Sequence, residues 1–306
     1  MAQYLVKRFA YSVLTLFIII TITFFLSHAI PGGVYTTEKP LPQSIVNNIK
    51  AKYGLDKPLF QQYLIQLNNI VHLDFGMSMV NEGRRVNDII AQHFPKSALL
   101  GSFSILLCLI LGIPLGILSA LKRDRWQDNV SMIIATIGVT VPSFVVATLT
   151  QYFISVRLKW LPVMGFTSFK HMVLPAVALS FFPLAFIARL VRSNMVEVLE
   201  QDYIRTARAK GLSRGVVVFK HALKNSIMPV ITYLGMLIAT ILTGSFVIEK
   251  IFNIPGLGRF YVESISNRDY TTIMGITVFY AAFLILMNFV VDVVYVLIDP
   301  RIKLKQ

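Results

Sequence analysis

Five residues of this 306-residue chain, Gly211-Leu212-Ser213-Arg214-Gly215, have the G-x-S-x-G spacing that in hydrolases lifts a serine onto a sharp turn for nucleophilic attack. That chemistry needs a strand before the serine and a helix after it. Ser213 instead stands in a polar break between two basic stretches with helical periodicity, so the spacing is read as coincidence. The histidines, His28, His72, His93, His171 and His221, are scattered and give no metal-ligand spacing. H-E-x-x-H is absent. So is G-x-x-x-x-G-K-[ST], which leaves no loop of that kind to cradle the phosphates of ATP. Cys108, the one cysteine, lies in an apolar run and can form neither an intrachain disulfide nor a C-x-x-C site. No catalytic residue, metal or cofactor is expected.

The elements around these residues point to a membrane. Apolar residues make up 55% of the chain and charged residues 14%, with a mean hydropathy of +0.67. Apolar runs of about 20 residues match the ~30 Å hydrocarbon thickness of a bilayer. Six such runs stand out, at about Phe9–Ile30, Ala98–Leu121, Val130–Ser155, Met172–Leu190, Pro229–Ile251 and Ile273–Ile298. The first is too long for the apolar core of a signal peptide and is read as a retained helix. The fold class expected is therefore an all-α polytopic membrane protein with six transmembrane helices.

The net charge of +14 would suggest nucleic acid on a soluble protein, but here it follows the distribution of Lys and Arg in cytoplasmic loops. Lys7 and Arg8 precede the first span, and Lys122, Arg123 and Arg125 lie between the second and third. Arg189 to Lys224 lie between the fourth and fifth, and Arg301, Lys303 and Lys305 close the chain. With six spans all these segments fall on one side, which places both termini in the cytoplasm; no nucleic-acid partner is expected.

The segment from Pro31 to Ser97 is too polar to span. Ser44 is a candidate cap for one short helix there, and Asp56 and Pro58 open a second with Leu59, Tyr63, Leu67 and Ile70 along one face. Gly112 and Gly116 have the G-x-x-x-G step, which serves either a gating bend or close helix packing, with packing favoured. The spans carry few ionisable groups. Asp292 is the main one and is read as bonding a neighbouring helix, and Glu249 and Lys250 lie near the outer end of the fifth span. Gln151, Ser180, Thr240, Thr243 and Ser245 are candidates for lining a weakly polar pathway, because they offer hydrogen bonds without the desolvation cost of ions; for any one of them a bond to a neighbouring helix is the favoured role. Ile254–Phe260, with Pro255, Gly256 and Gly258, is short and rich in Gly and Pro. It is either a tight turn or a gate that dips toward the pathway or meets an outer protein.

The basic stretch 193–228 is long for a connection. Its run Asp202-Tyr203-Ile204-Arg205-Thr206-Ala207-Arg208-Ala209-Lys210 reads as a helix, with Tyr203, Ala207 and Lys210 placed on one face. Gly211, Leu212 and Ser213 supply the turn that ends it. Such an element suits docking into a partner's groove, and equally suits lying on acidic lipid.

This stretch resembles the coupling loop of ABC importer permeases, the E-A-A-x-x-x-G pattern followed by a later Ile and Pro. Arg205, Thr206 and Ala207 stand at the E-A-A positions, Gly211 at the glycine, and Ile227 and Pro229 close the loop. Glu is absent, and the distance from Gly211 to Pro229 exceeds the general pattern; both departures are usual in the peptide-importer branch. Tyr53-Gly54-Leu55-Asp56-Lys57-Pro58, Asp74-Phe75-Gly76-Met77-Ser78, Thr243 to Glu249, Ile254 to Gly258, Asn267 to Tyr270 and Asp299-Pro300-Arg301 resemble that branch in the same order. The oligopeptide member is the closest match, and relatives carrying dipeptides, glutathione or nickel chelates share the framework.

The resemblance implies the type I importer permease fold. It implies residues 1–96 as an N-terminal helix plus extracytoplasmic segment, 97–298 as the permease domain, and 299–306 as a cytoplasmic tail. The implied partners are a second homologous permease, two cytoplasmic ATPase subunits and an extracytoplasmic peptide-binding protein, all at the inner or plasma membrane of a bacterium. Residues 202–212 become the helix that seats in an ATPase groove. A secondary transporter or channel is the competing class.

Overall fold

The computed structural model describes residues 2–29, 47, 51 and 53–298. Ser44 and residues 299–306 lie outside the described residues, and the Asp292 side chain outside the described side chains. Helix α1 is Ala2–Ala29, α2 Leu59–Val71, α3 Val86–Leu121, α4 Trp126–Thr140, and α5 Ser143–Thr150 with a π-helical continuation, Gln151–Arg157. Helix α6 is Phe169–Leu199 and α7 Asp202–Ala209. Helix α8, Arg214–Val216, runs through a π turn, Val217–Ala222, into α9, Leu223–Ser226. Helix α10 is Met228–Leu242, α11 Phe246–Ile251, α12 Leu257–Ser266 and α13 Tyr270–Ile298. Among the described residues no strand forms; one isolated bridge joins Met77 and Arg85.

Five helical spans are long and apolar enough to cross a bilayer, and a bent pair of helices brings the number to six. The pair is Trp126–Thr140 and Ser143–Arg157, bent by 105°. The sequence places one span at Val130–Ser155 with Pro142 interrupting it, and Pro142 is why the helix breaks. It has no N–H to donate, and it holds Val141 in an extended conformation with ψ 123°.

The second span begins at Val86 rather than near Ala98. The extra turns bury Val86, Ile89 and Ile90 against Leu257 and Ile276, and this packing outweighs their polar neighbours. At the other end of that hydrophobic layer Asp269 is buried and receives Ser78 Oγ at 2.5 Å, Met79 N at 3.0 Å and Thr272 Oγ1 at 2.8 Å. It therefore caps α13 and pins the 74–85 loop to it.

The most extensive helix pair is α3 with α6. A Cβ on Gly112 would stand 2.9 Å from Leu184 O, and one on Gly116 2.6 Å from Ala188 O and 2.7 Å from Val191 Cβ. Their G-x-x-x-G step therefore serves close packing, and α3 runs unbroken through Pro114. Gly116→Ala forces these helices apart, and overpacking of this kind costs about 1–3 kcal/mol. Thermal unfolding of purified protein in detergent should show a lowered midpoint for Gly116→Ala. Gly215→Ala, where no atom lies within 4 Å of the new methyl, should leave it unchanged.

Candidate functional site: a docking helix and a clamped loop at opposite ends

Helix α7 lies between Gln201, whose backbone is extended, and Gly211. Asp202 sits in its first turn and Arg208 in its last, each matching the helix dipole. Its buried stripe is Ile204 and Ala207, which join a cluster with Met195, Val217, Val218 and Ala222. Asp202, Tyr203, Arg205, Thr206, Lys210, Gly211, Leu212 and Ser213 are exposed.

Ala207 therefore does not share an outward face with Tyr203 and Lys210, as its spacing suggests. Ile204 and Ala207, three residues apart, take the inner side. Tyr203 stands beside them with its hydroxyl receiving Asn225 Nδ2 at 2.8 Å. The helix ends in a Schellman motif: Gly211 N donates to Arg208 O at 3.0 Å and Leu212 N to Ala207 O at 3.3 Å. Gly211 has φ +74°, and a Cβ there would meet nothing within 4 Å. The turn needs glycine for its backbone conformation, and the space above it is open.

The root of this helix is tied into the bundle by a carboxylate that the sequence leaves unremarked. Asp128 on α4 is 1% exposed. It receives Arg192 Nε at 2.6 Å and Nη2 at 2.7 Å from α6, Ser119 Oγ at 2.5 Å from α3, and Asp124 N at 3.0 Å. Four charge-assisted bonds satisfy a buried carboxylate that would otherwise be costly. Beside it Arg123 Nη1 donates to Glu200 Oε1 at 2.6 Å, between α6 and α7. The preceding Arg-rich loop hides Asp128 in the sequence; its position one turn into a helix is the only local signal.

At the opposite end of the bundle Pro255 and Gly256 belong to a loop folded inward, while Gly258, expected in that loop, stands in the first turn of α12. Ile254, Gly256, Leu257 and Gly258 are buried. The loop wraps the carboxylate of Glu249, which is fully buried on α11. Ser97 Oγ donates to Glu249 Oε1 at 2.7 Å and receives Leu257 N at 2.8 Å, while Arg259 N donates to Glu249 Oε2 at 2.8 Å. His93, one turn before Ser97, bonds Pro255 O through Nδ1 at 2.9 Å.

Three glycines make room for this carboxylate. A Cβ on Gly244 would lie 2.5 Å from Glu249 Oε1, on Gly256 2.5 Å from Glu249 Cδ, and on Gly258 3.1 Å from Glu249 Oε2. Gly244 also breaks the fifth span, with φ +92°. The sequence signal was an isolated glutamate in an apolar span with glycines on both sides.

The lining candidates do not form one surface. Ser180 is 2% exposed and bonds Val177 O within its own helix, with Pro175, Ala176 and Ala178 buried around it. Gln151 uses its amide to bond Val163 O at 2.9 Å and Ile251 O at 3.4 Å. Ser245 caps α11 by receiving Ile248 N. Thr240 is exposed on α10 with Thr232 and Met236, and Thr243 is half-buried nearby; both hydroxyls bond carbonyls one turn back.

A bundle with a glycine-capped basic helix at one end and an inward loop at the other matches known proteins along its whole length. The model of the binding-protein-dependent transport system inner membrane component family matches residues 112–304, and the model of the corresponding N-terminal region matches residues 1–101. The chain belongs to this family. It is 50% identical over 304 residues to the dipeptide transport system permease protein DppB of Bacillus subtilis, covering 99% of each chain. It is 43% identical over 305 residues to the oligopeptide transport system permease protein OppB of Salmonella typhimurium, covering 99% of this chain and all of that one.

A chain of the inward-facing methionine ABC transporter MetNI superposes with a TM-score of 0.59 at 18% identity, covering 69% of this chain and 96% of that one. The type I importer permease fold is thus the fold of this chain, which is a transport subunit of the bacterial inner membrane and not an enzyme.

The geometry at Gly256 yields a direct test of the loop. A valine there collides with Glu249 and Ser97, so the loop must leave its seat at a cost of about 1–3 kcal/mol. Gly256→Val should reduce uptake while the amount of complex recovered from membranes stays at the parent level, measured by co-purification and radiolabelled uptake.

Proposed function

We propose that the chain is the permease subunit of a peptide importer. In this reading it forms the membrane pathway with a second homologous permease and is driven by two separate ATPase subunits that dock on α7. An extracytoplasmic binding protein delivers cargo to the end where the 254–258 loop lies. The observation that carries the docking assignment is α7 itself: its inner stripe is spent on the bundle, and its Gly211 end stands open.

On this reading 97–298 is the permease domain and both chain ends are cytoplasmic. Single-cysteine labelling in a Cys108→Ala background tests the orientation. Arg214→Cys should resist a membrane-impermeant maleimide added to intact cells and Lys57→Cys should react; the reverse pattern overturns the orientation.

Cargo is chosen mostly by the binding protein, so the size of the peptide is a separate matter. Oligopeptides fit the run Tyr203–Ser213 and the relatives named for oligopeptide transport. A dipeptide cargo has equal standing, because the relative at 50% identity carries a dipeptide name. Glutathione and nickel chelates remain cargo of the same framework. Calorimetric titration of the associated binding protein with di-, tri- and pentapeptides separates these cases.

Docking is tested at Gly211. Positive φ alone makes alanine costly by about 1 kcal/mol there, and glutamate adds bulk and a charge at the joint. In nanodiscs, the Gly211→Glu complex should assemble with its second permease, but its ATP hydrolysis should no longer rise with loaded binding protein. If α7 instead lies on acidic lipid, one added carboxylate weakens that contact by only about 1 kcal/mol and the stimulation persists.

A further inference from the structure

Helix α3 carries two clamps, one about three turns inside its start and one in its last turn. Ser97 reaches the Glu249 carboxylate and the amide of Leu257, while Ser119 reaches the Asp128 carboxylate. The two serines are 22 residues apart in one unbroken helix, roughly 33 Å at 1.5 Å per residue, which is the thickness of the apolar layer. Between them Gly112 and Gly116 bring the α3 backbone against α6. Arg192 on α6 completes the Asp128 clamp, and Glu200, at the end of α6, pairs with Arg123 just past α3. α7 follows within two residues of Glu200.

We propose that α3 with its two serine–carboxylate clamps is the rigid link that makes the docking helix and the 254–258 loop move as one body. Ser97, Ser119, Asp128 and Glu249 are its positioning residues. A displacement of α7 enters α6 along the chain at Glu200 and Gln201, and passes from α6 to α3 at the buried Asp128 clamp, with the exposed Arg123–Glu200 pair beside it. It then leaves α3 at Ser97, whose hydroxyl holds both the carboxylate at the centre of the loop and the first amide of α12. Neither carboxylate has room to slip: Asp128 is bonded on both oxygens, and Glu249 is packed by Gly244, Gly256 and Gly258. The inference rests on the docking assignment of α7.

The test uses the assembled complex in nanodiscs, in a Cys108→Ala background, with one reporter cysteine at each end. Ser266→Cys reports on α12 and Ser213→Cys on the docking region; both serines are exposed. Maleimide alkylation rates are compared between nucleotide-free and ATP–vanadate-trapped complexes. In the parent both reporters should change rate on trapping. In Ser97→Ala the Ser213→Cys response should persist while the Ser266→Cys response is lost, and Ser97→Thr, which keeps the hydroxyl, should restore it. Ser119→Ala, at the other end of α3, should also abolish the Ser266→Cys response and serves if Ser97→Ala does not assemble.

A Ser266→Cys response that survives in either alanine variant overturns the link. So does its absence in the parent, or its loss in Ser97→Thr. No response at Ser213→Cys in the parent means instead that the docking assignment is wrong, and the link falls with it.

Discussion

A carboxylate sealed inside an apolar bundle has to find its hydrogen-bond donors within the fold, and Glu249 organises one end of this protein for that reason. Its donors come from Ser97 on α3 and from the backbone of Arg259. Backbone amides can reach a carboxylate only where side chains do not intervene. Gly256 at the start of α12, Gly258 in its first turn and Gly244 at the break before α11 are therefore needed together. The break of the fifth span at Gly244, the inward fold of the loop and the start of α12 all meet at this one buried side chain.

The bundle between the two ends is held by close backbone approach rather than by polar bonds. In lipid, apolar surface gains little from helix association, so small residues and van der Waals contact must supply the attraction. Gly112 and Gly116 on α3 meet α6, Gly138 on α4 meets Ala185, and Gly235 on α10 meets Val291. The strongest polar ties, at Asp128, Glu249 and Asp269, sit toward the helix ends. A design with rigid helices and fastened ends suits rigid-body motion, in which packed elements shift between arrangements without repacking internally.

Gly211-Leu212-Ser213-Arg214-Gly215, which has the spacing of a nucleophile elbow, is the Schellman end of α7 and the start of the next helix. Its glycine serves a helix terminus.

By itself the sequence determined the class, the approximate places of the spans and the short basic helix with its glycine cap. Apolar runs of membrane length need no tertiary knowledge to be read, because the bilayer imposes their length. The run Tyr203–Ser213 is local: a helix, its glycine cap and its exposed charges all depend on neighbours within a few residues. Tertiary structure decided what depends on contacts across the bundle. Pro142 could have kinked a span gently or broken it by 105°, and only the surrounding helices set the angle. The polarity of Ser180 and Gln151 is visible in the sequence, while the carbonyls that their side chains bond are not. Glu249 and Ser97 lie 152 positions apart, and Asp128 and Arg192 lie 64 apart, so no periodicity or motif could pair them. Burial turned isolated charges into the fastenings of the fold, and burial is a property of the packed bundle alone.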